Sequence, residues 1–305
     1  MIPIHMTVSG EYCLQVRKKT GEVVKDTGFF KNLITNQGLD NLCGNNQALR
    51  YMSVGTGTTA PAITDTQLVN LRAVADLSAT GNTAISSLDT TNNYLIATLT
   101  ASFLNGSASG NISEVGVGAY SNGTLLTSRA LVRDANGDPT TITVLSDEDL
   151  VVIYKFKVKQ PTIDFTGVVG GYNYTMRACK TTTLSSSDGW DFGVAYSPLL
   201  SLNTIPSYWK HTVIGTLGSI TGGLSSPLSG AGATVSSVTR AGYVTGSFQI
   251  TCYVTLGTSS SDLVLKGQEV QLGFTRWQIE FTPTISKLSI QTLRLGYTLT
   301  LGREV

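Results

Sequence analysis

Charge is what this chain is shortest of. Asp, Glu, Lys and Arg make up 13% of its 305 residues, about half the usual share, and they nearly cancel to a net +1. Residues 1–162 carry 12 basic against 13 acidic side chains, and residues 163–305 carry 9 against 7. Neither part has the field that gathers phosphates, so no nucleic-acid partner is expected. Lys155, Lys157 and Lys159 recur at every second position of one run, which puts them on one strand face. A solvated face or a guarded sheet edge explains them better than a DNA-binding patch.

Histidine is nearly absent, with only His5 and His211. A Ser-His-Asp triad would have to be built on His211, and no GxSxG elbow selects a serine for it. The four cysteines, Cys13, Cys43, Cys179 and Cys252, lie too far apart for a zinc knuckle or a CxxC redox pair. They are expected as buried thiols of a protein folded in a reducing cytoplasm. No apolar run approaches the length of a membrane span, and Met1-Ile-Pro-Ile-His-Met-Thr7 lacks the basic and apolar regions of an export signal. No metal, cofactor or catalytic residue is therefore assigned.

What replaces charge is Ser, Thr, Asn and 32 Gly, with 41% hydrophobic residues. That mixture suits short strands and many turns rather than disorder. A surface of hydroxyls and amides also opposes the approach of identical copies only weakly. Alternation is the dominant pattern. Tyr12, Leu14 and Val16 lead through a turn at Lys19–Glu22 to Val23-Val24, a hairpin. Residues 94–103, 112–120 and 122–133 read as further strands, and Asp134-Ala-Asn-Gly-Asp-Pro139 is a strong turn. Val152, Tyr154, Phe156 and Val158 form one face of a long strand. Later, Phe248, Ile250, Cys252, Val254 and Leu256 share a face, as do Leu293, Leu295, Tyr297, Leu299 and Leu301. Two short helices are expected, over 36–43 (Leu39, Leu42, Cys43) and over 64–75, capped by Thr64 or Asp65 with Leu68, Leu71 and Ala75 at helical spacing. The composition shifts near Gln160-Pro161. The expected fold is mainly β, two β-sandwich-like domains over 1–161 and 162–305, with the helices in the first. Residues 1–10 read as an apolar tail, threaded onto a partner and dispensable for folding, and 215–235 as an exposed loop.

Candidate chemistry is sparse. Asp188-Gly-Trp-Asp191 pairs two acids beside an aromatic, as sugar-cleaving sites do, but an Asx turn of Asp188 with Gly189 and a solvated Asp191 explain it better. Asp134–Asp138 is oxygen-rich without the frame of a calcium loop, and Asp147-Glu148-Asp149 is a solvated cluster. Gly55-Thr-Gly57 has neither Walker nor dinucleotide spacing, and its glycines are expected to serve turns with positive φ. Trp190, Tyr196, Tyr208 and Trp209 form an aromatic cluster. Of these, Trp190, Tyr208 and Trp209 are the candidate contacts to a partner or receptor, with core packing as the alternative.

One set of motifs carries a resemblance. Asn32-Leu-Ile-Thr-Asn36 is followed by Val54-Gly-Thr-Gly-Thr-Thr-Ala-Pro61 and by the segment after Asp65. Ser113-Glu-Val-Gly-Val117 and Leu131-Val-Arg133 follow in the same style. Over roughly residues 25–160 the chain resembles structural proteins of tailed bacteriophage virions, of the tail-fibre, collar-appendage or adaptor type. The resemblance implies a non-enzymatic virion component, made in the host bacterial cytoplasm and released by lysis. It implies a homo-oligomer, a trimer or a ring, docked to neighbouring tail or head–tail connector proteins. Without heptads or collagen-like repeats, a compact appendage fits better than a long shaft. The alternatives are a receptor- or host-glycan-binding module, a capsid decoration protein and, last, a glycan hydrolase built on Asp188 and Asp191.

Overall fold

The computed structural model describes residues 1–44, 47–178, 209–212, 217, 236–259, 262–272 and 275–304. In chain order, β1 (Ile2–Lys18), β2 (Val23–Asp26), β3 (Phe30–Lys31) and β4 (Leu33–Ile34) lead to α1 (Asn36–Gly44). Then come β5 (Tyr51–Gly55), β6 (Leu71–Asp76), β7 (Thr83–Asp89), β8 (Tyr94–Phe103), β9 (Gly110–Ile112), β10 (Glu114–Gly118), β11 (Leu126–Leu131), β12 (Ile142–Val144) and β13 (Glu148–Lys159). Past residue 161 lie β14 (Phe165–Val169), β15 (Tyr172–Ala178), β16 (Trp209–Thr212), β17 (Ser237–Arg240), β18 (Gln249–Leu256), β19 (Leu263–Leu272), β20 (Thr275–Lys287) and β21 (Leu293–Arg303).

The fold is mainly β, with one short helix and four sheets among the described residues. A nine-stranded sheet runs β17-β18-β21-β1-β13-β8-β7, with β2 and β3 also paired to β1. The second sheet is β4-β11-β10-β5-β6, the third β12-β9, and the fourth β14-β15-β20-β19-β16. The large sheet thus takes strands from both sides of residue 161, and the fourth sheet only from beyond it.

Period-two alternation builds the core. On β13, Val152, Tyr154, Phe156 and Val158 are fully buried, and Leu95, Ala97, Leu99 and Ala101 of β8 lie beside them. Ile250, Cys252, Val254 and Leu256 of β18 and Leu295, Tyr297, Leu299 and Leu301 of β21 continue the same layer. Tyr12 stacks on Tyr154 with ring centroids 4.4 Å apart.

Three expectations are corrected. Residues 2–8 are not a tail: they pair in parallel with β21, and from Thr7 onward also with β13. Ile2, Ile4, Met6 and Val8 are buried, because a strand with this alternation finds an apolar layer in a strand from the far end of the chain. The segment 64–75 is not a helix. Leu71–Asp76 forms the ladder with β5, and Leu71 is 42% exposed where the helical reading needs it buried. The backbone N–H groups of Val69 and Asn70 donate to the Glu114 carboxylate, which holds the chain extended there. Finally, Lys155, Lys157 and Lys159 do not guard an edge, since β13 lies between β1 and β8. They occupy the open face of the sheet. Lys157 pairs with Glu11 at 2.6 Å, Lys155 sits over the Phe29 ring and Lys159 over the Tyr94 ring.

The helix α1 forms as expected, with Leu39, Leu42 and Cys43 buried. Thr35 caps it, its Oγ1 accepting from the Gly38 N–H at 2.8 Å. Gly38 lets the helix lie against β11: a Cβ there would stand 2.1 Å from the Thr127 carbonyl oxygen. Gly38→Ala normally favours a helix by about 1 kcal/mol. Here the contact is backbone, which does not yield, so a net loss of about 1–3 kcal/mol is expected by urea unfolding.

Cys13, Cys43 and Cys252 are free and buried. Burial pushes the thiols up, to about 12 for Cys13 and Cys43 and about 11 for Cys252. Because the thiolate is the reactive form, none of the three is expected to take up iodoacetamide at pH 8 in the native protein. All three should label in urea, read peptide by peptide by mass spectrometry.

Candidate functional site

Three of the motifs singled out in the sequence, spread over a hundred positions, send residues to one place. An open cleft of about 1140 Å³ lies between the segment 26–33 and the segment 129–137. Asn32 and Leu33 of the first motif, Pro61 of the second, and Leu131 and Arg133 of the last all line it.

Arg129, which lines the cleft, belongs to a buried ion network. β10 and β11 are antiparallel neighbours, and both turn a charged side chain inward. The Glu114 side chain is 0% exposed and that of Arg129 1%. Burying a charge in this way is tolerated only when it is paired and hydrogen-bonded, and here every direction is filled. Glu114 accepts from the backbone N–H groups of Gly57 (2.9 Å), Asn70 (2.8 Å) and Val69 (3.1 Å). Arg129 donates to Glu114 through Nε (3.0 Å), to Asp65 through Nη1 (2.7 Å) and to the Thr59 carbonyl through Nη2 (2.8 Å). One carboxylate and one guanidinium thereby tie β10, β11, the 55–61 loop and the 65–70 segment together.

This explains the Gly55-Thr-Gly57 spacing and corrects its expected role. Neither glycine has a positive φ. A Cβ on Gly55 would stand 2.5 Å from the Asn70 carbonyl oxygen, and one on Gly57 2.4 Å from Glu114 Oε1. The two glycines make room for a buried carboxylate instead of turning the chain.

A second, smaller network joins the cleft to the core. Asn32 donates to Tyr154 Oη at 3.2 Å, and Tyr12 Oη shares a 2.6 Å hydrogen bond with Ser128 Oγ. Burial raises both phenols well above their ordinary range, so they remain protonated. At the rim, the 134–138 turn closes on itself: Asp134 Oδ1 accepts from the N–H groups of Asn136 and Asp138, and Arg133 donates to the Gly137 carbonyl at 2.6 Å. Gly137 has the positive φ, +86°, that this turn needs. Phe29, 44% exposed, stands on the opposite lip.

Among the described residues no group of three or more His, Cys, Asp or Glu side chains is arranged to hold a metal ion. No described helix is long and apolar enough to cross a membrane. The acidic run 147–149 is only partly solvated: Glu148 opens β13, is nearly buried, and accepts from the Leu145 N–H at 2.8 Å.

Of the aromatic candidates, Trp190, Tyr196 and Tyr208 lie outside the described residues, as do Asp188, Asp191 and most of the 215–235 stretch. Trp209 begins β16, where its backbone pairs with Val270, and His211 pairs with Gln268 in the same strand. Sequence reasoning missed the Glu114–Arg129 pair and read Asp65 as a helix cap, whereas its carboxylate accepts from Arg129. One signal was available: Glu114 and Arg129 are single charges inside otherwise uncharged strand runs, Ser113–Val117 and Leu126–Val132, which is the pattern of a cross-strand buried pair. No family model matches the chain, and neither a curated protein nor a solved structure does.

Proposed function

We propose that the protein is a non-enzymatic structural component of a tailed-phage virion. In this reading it is a tail-associated fibre, collar appendage or adaptor that assembles with copies of itself and docks to neighbouring tail or connector proteins. The observation that carries the reading is the meeting of three of these segments, through Asn32 and Leu33, Pro61, and Leu131 and Arg133, on one cleft whose one buried charge, Arg129, is spent on architecture. Glu114 and Arg129 are sealed and fully engaged, whereas a general acid or base must reach the proton it moves. What faces outward is Phe29, Lys31, Arg133 and the 134–138 turn, an apolar and charged rim of the kind that seats a protruding segment of a neighbour. The low charge of the chain as a whole suits a protein packed among copies of itself.

The test is incorporation. Phe29→Ala combined with Arg133→Glu alters the rim and leaves the sealed network intact. Phage particles produced from a genome encoding this variant are expected to contain at least ten-fold less of the protein by quantitative mass spectrometry. Unchanged incorporation would contradict docking through the cleft, and absence of the unaltered protein from purified particles would overturn the reading itself.

A further inference from the structure

We propose that β14 is the edge through which two copies of this chain join, strand to strand across a two-fold axis. The proposal rests on the self-assembly part of the reading above and names the surface responsible. β14 is the outermost strand of the fourth sheet. All five of its residues pair with β15, from Phe165 with Met176 to Val169 with Tyr172. The link is the tight turn Gly170-Gly171, with φ of +58° and +87°, as a two-residue hairpin of this hand requires. The other side of β14 meets no strand among the described residues.

Exposed sheet edges are normally blunted by Lys, Pro, a bulge or an inward charge. β14 has none of these. Its sequence, Phe-Thr-Gly-Val-Val, is uncharged and its ladder with β15 is unbroken. The nearest charge, Asp164, is already held by Arg177 through two hydrogen bonds of 2.6 Å. Val168, within the strand, and Ile163, just before it, are each 65% exposed. Two other edges are managed: β2 carries Lys25 and Asp26, and β6 is bulged opposite Gly55 and anchored by Arg72 to Ser109. β14 is also held firmly. Phe165 packs edge-on against the buried Trp277, and the Tyr174 ring fills the space beside Gly167.

A second copy of β14 is the occupant this edge fits. Antiparallel pairing centred on Gly167 sets Phe165 against Val169 of the second copy and Thr166 against Val168, so apolar and hydroxyl side chains meet and no like charges do. It is the register that pairs the strand over its whole length. A slip of one residue would turn the second copy's Phe165 and Val169 toward the face of Thr166 and Val168. The two fourth sheets would then be continuous, and the assembly would contain an even number of copies.

The experiment compares the unaltered chain with Thr166→Lys/Val168→Lys by light scattering after size exclusion. In parallel, Thr166→Cys protein is mixed with Val168→Cys protein under oxidation. The proposal expects an even-numbered assembly whose mass falls by half in the lysine variant, with a melting curve like that of the unaltered chain. It also expects a disulfide-linked dimer at least ten-fold more abundant in the mixture than in either cysteine variant alone. Should the lysine variant fail to fold, the mixed disulfide decides. An oligomer that keeps its mass in the lysine variant and gives no mixed disulfide, or one with an odd number of copies, overturns the β14 assignment and leaves self-assembly standing. A monomeric unaltered chain overturns both.

Discussion

A chain that begins at Ser9 is expected not to fold. The first eight residues look dispensable in the sequence, yet they carry Ile2, Ile4, Met6 and Val8, whose side chains are 0–2% exposed. Each buried side chain of this size contributes about 1.5–3 kcal/mol. Losing all four removes roughly 6–12 kcal/mol, against a total stability of about 5–15 kcal/mol for a typical domain. Their deletion also uncovers one side of β21 from Tyr297 to Arg303, the stretch that pairs with residues 2–8. The expected result is insoluble protein, or soluble protein without a cooperative thermal transition by circular dichroism. A truncated chain that melts within a few degrees of the full one would show that the strand is an accessory.

Arg129→Met is expected to cost about 3–5 kcal/mol in urea unfolding, the usual cost of removing one member of a buried ion pair. The loss comes less from the missing attraction than from the Glu114 carboxylate left buried without its counter-ion. Asp65 and the Thr59 carbonyl lose their donor in the same step. Replacing both charges, Arg129→Met with Glu114→Leu, should cost less than the sum of the two single changes, because no orphaned charge remains. Strict additivity would mean that the two side chains act independently and that the network does not tie β10 and β11 to the 55–61 loop and the 65–70 segment.

The alternating strands were the legible part of this fold. The buried faces of β8, β13, β18 and β21 follow directly from every-second-residue spacing, and α1 follows from Leu39, Leu42 and Cys43. What failed shares one physical cause: the deciding partner lies far along the chain. Leu68, Leu71 and Ala75 fit a helix over a short window, until a carboxylate on β10 takes the N–H groups of Val69 and Asn70. Ile2, Ile4 and Met6 alternate as a strand should, but so short an apolar segment does not fold alone and so reads as a tail, and the strand it joins is the last in the chain. The motifs themselves were visible, whereas their convergence was not. Gly57 and Glu114 touch only because β5 and β10 are neighbours, and no local spacing encodes that pairing.

The most direct test of the account is the solution mass of the purified chain, by light scattering after size exclusion at micromolar concentration. One copy weighs 32.3 kDa. A protein built to assemble with itself should elute as a single species at a multiple of that mass, whereas a species of 32.3 kDa that persists on concentration would contradict it.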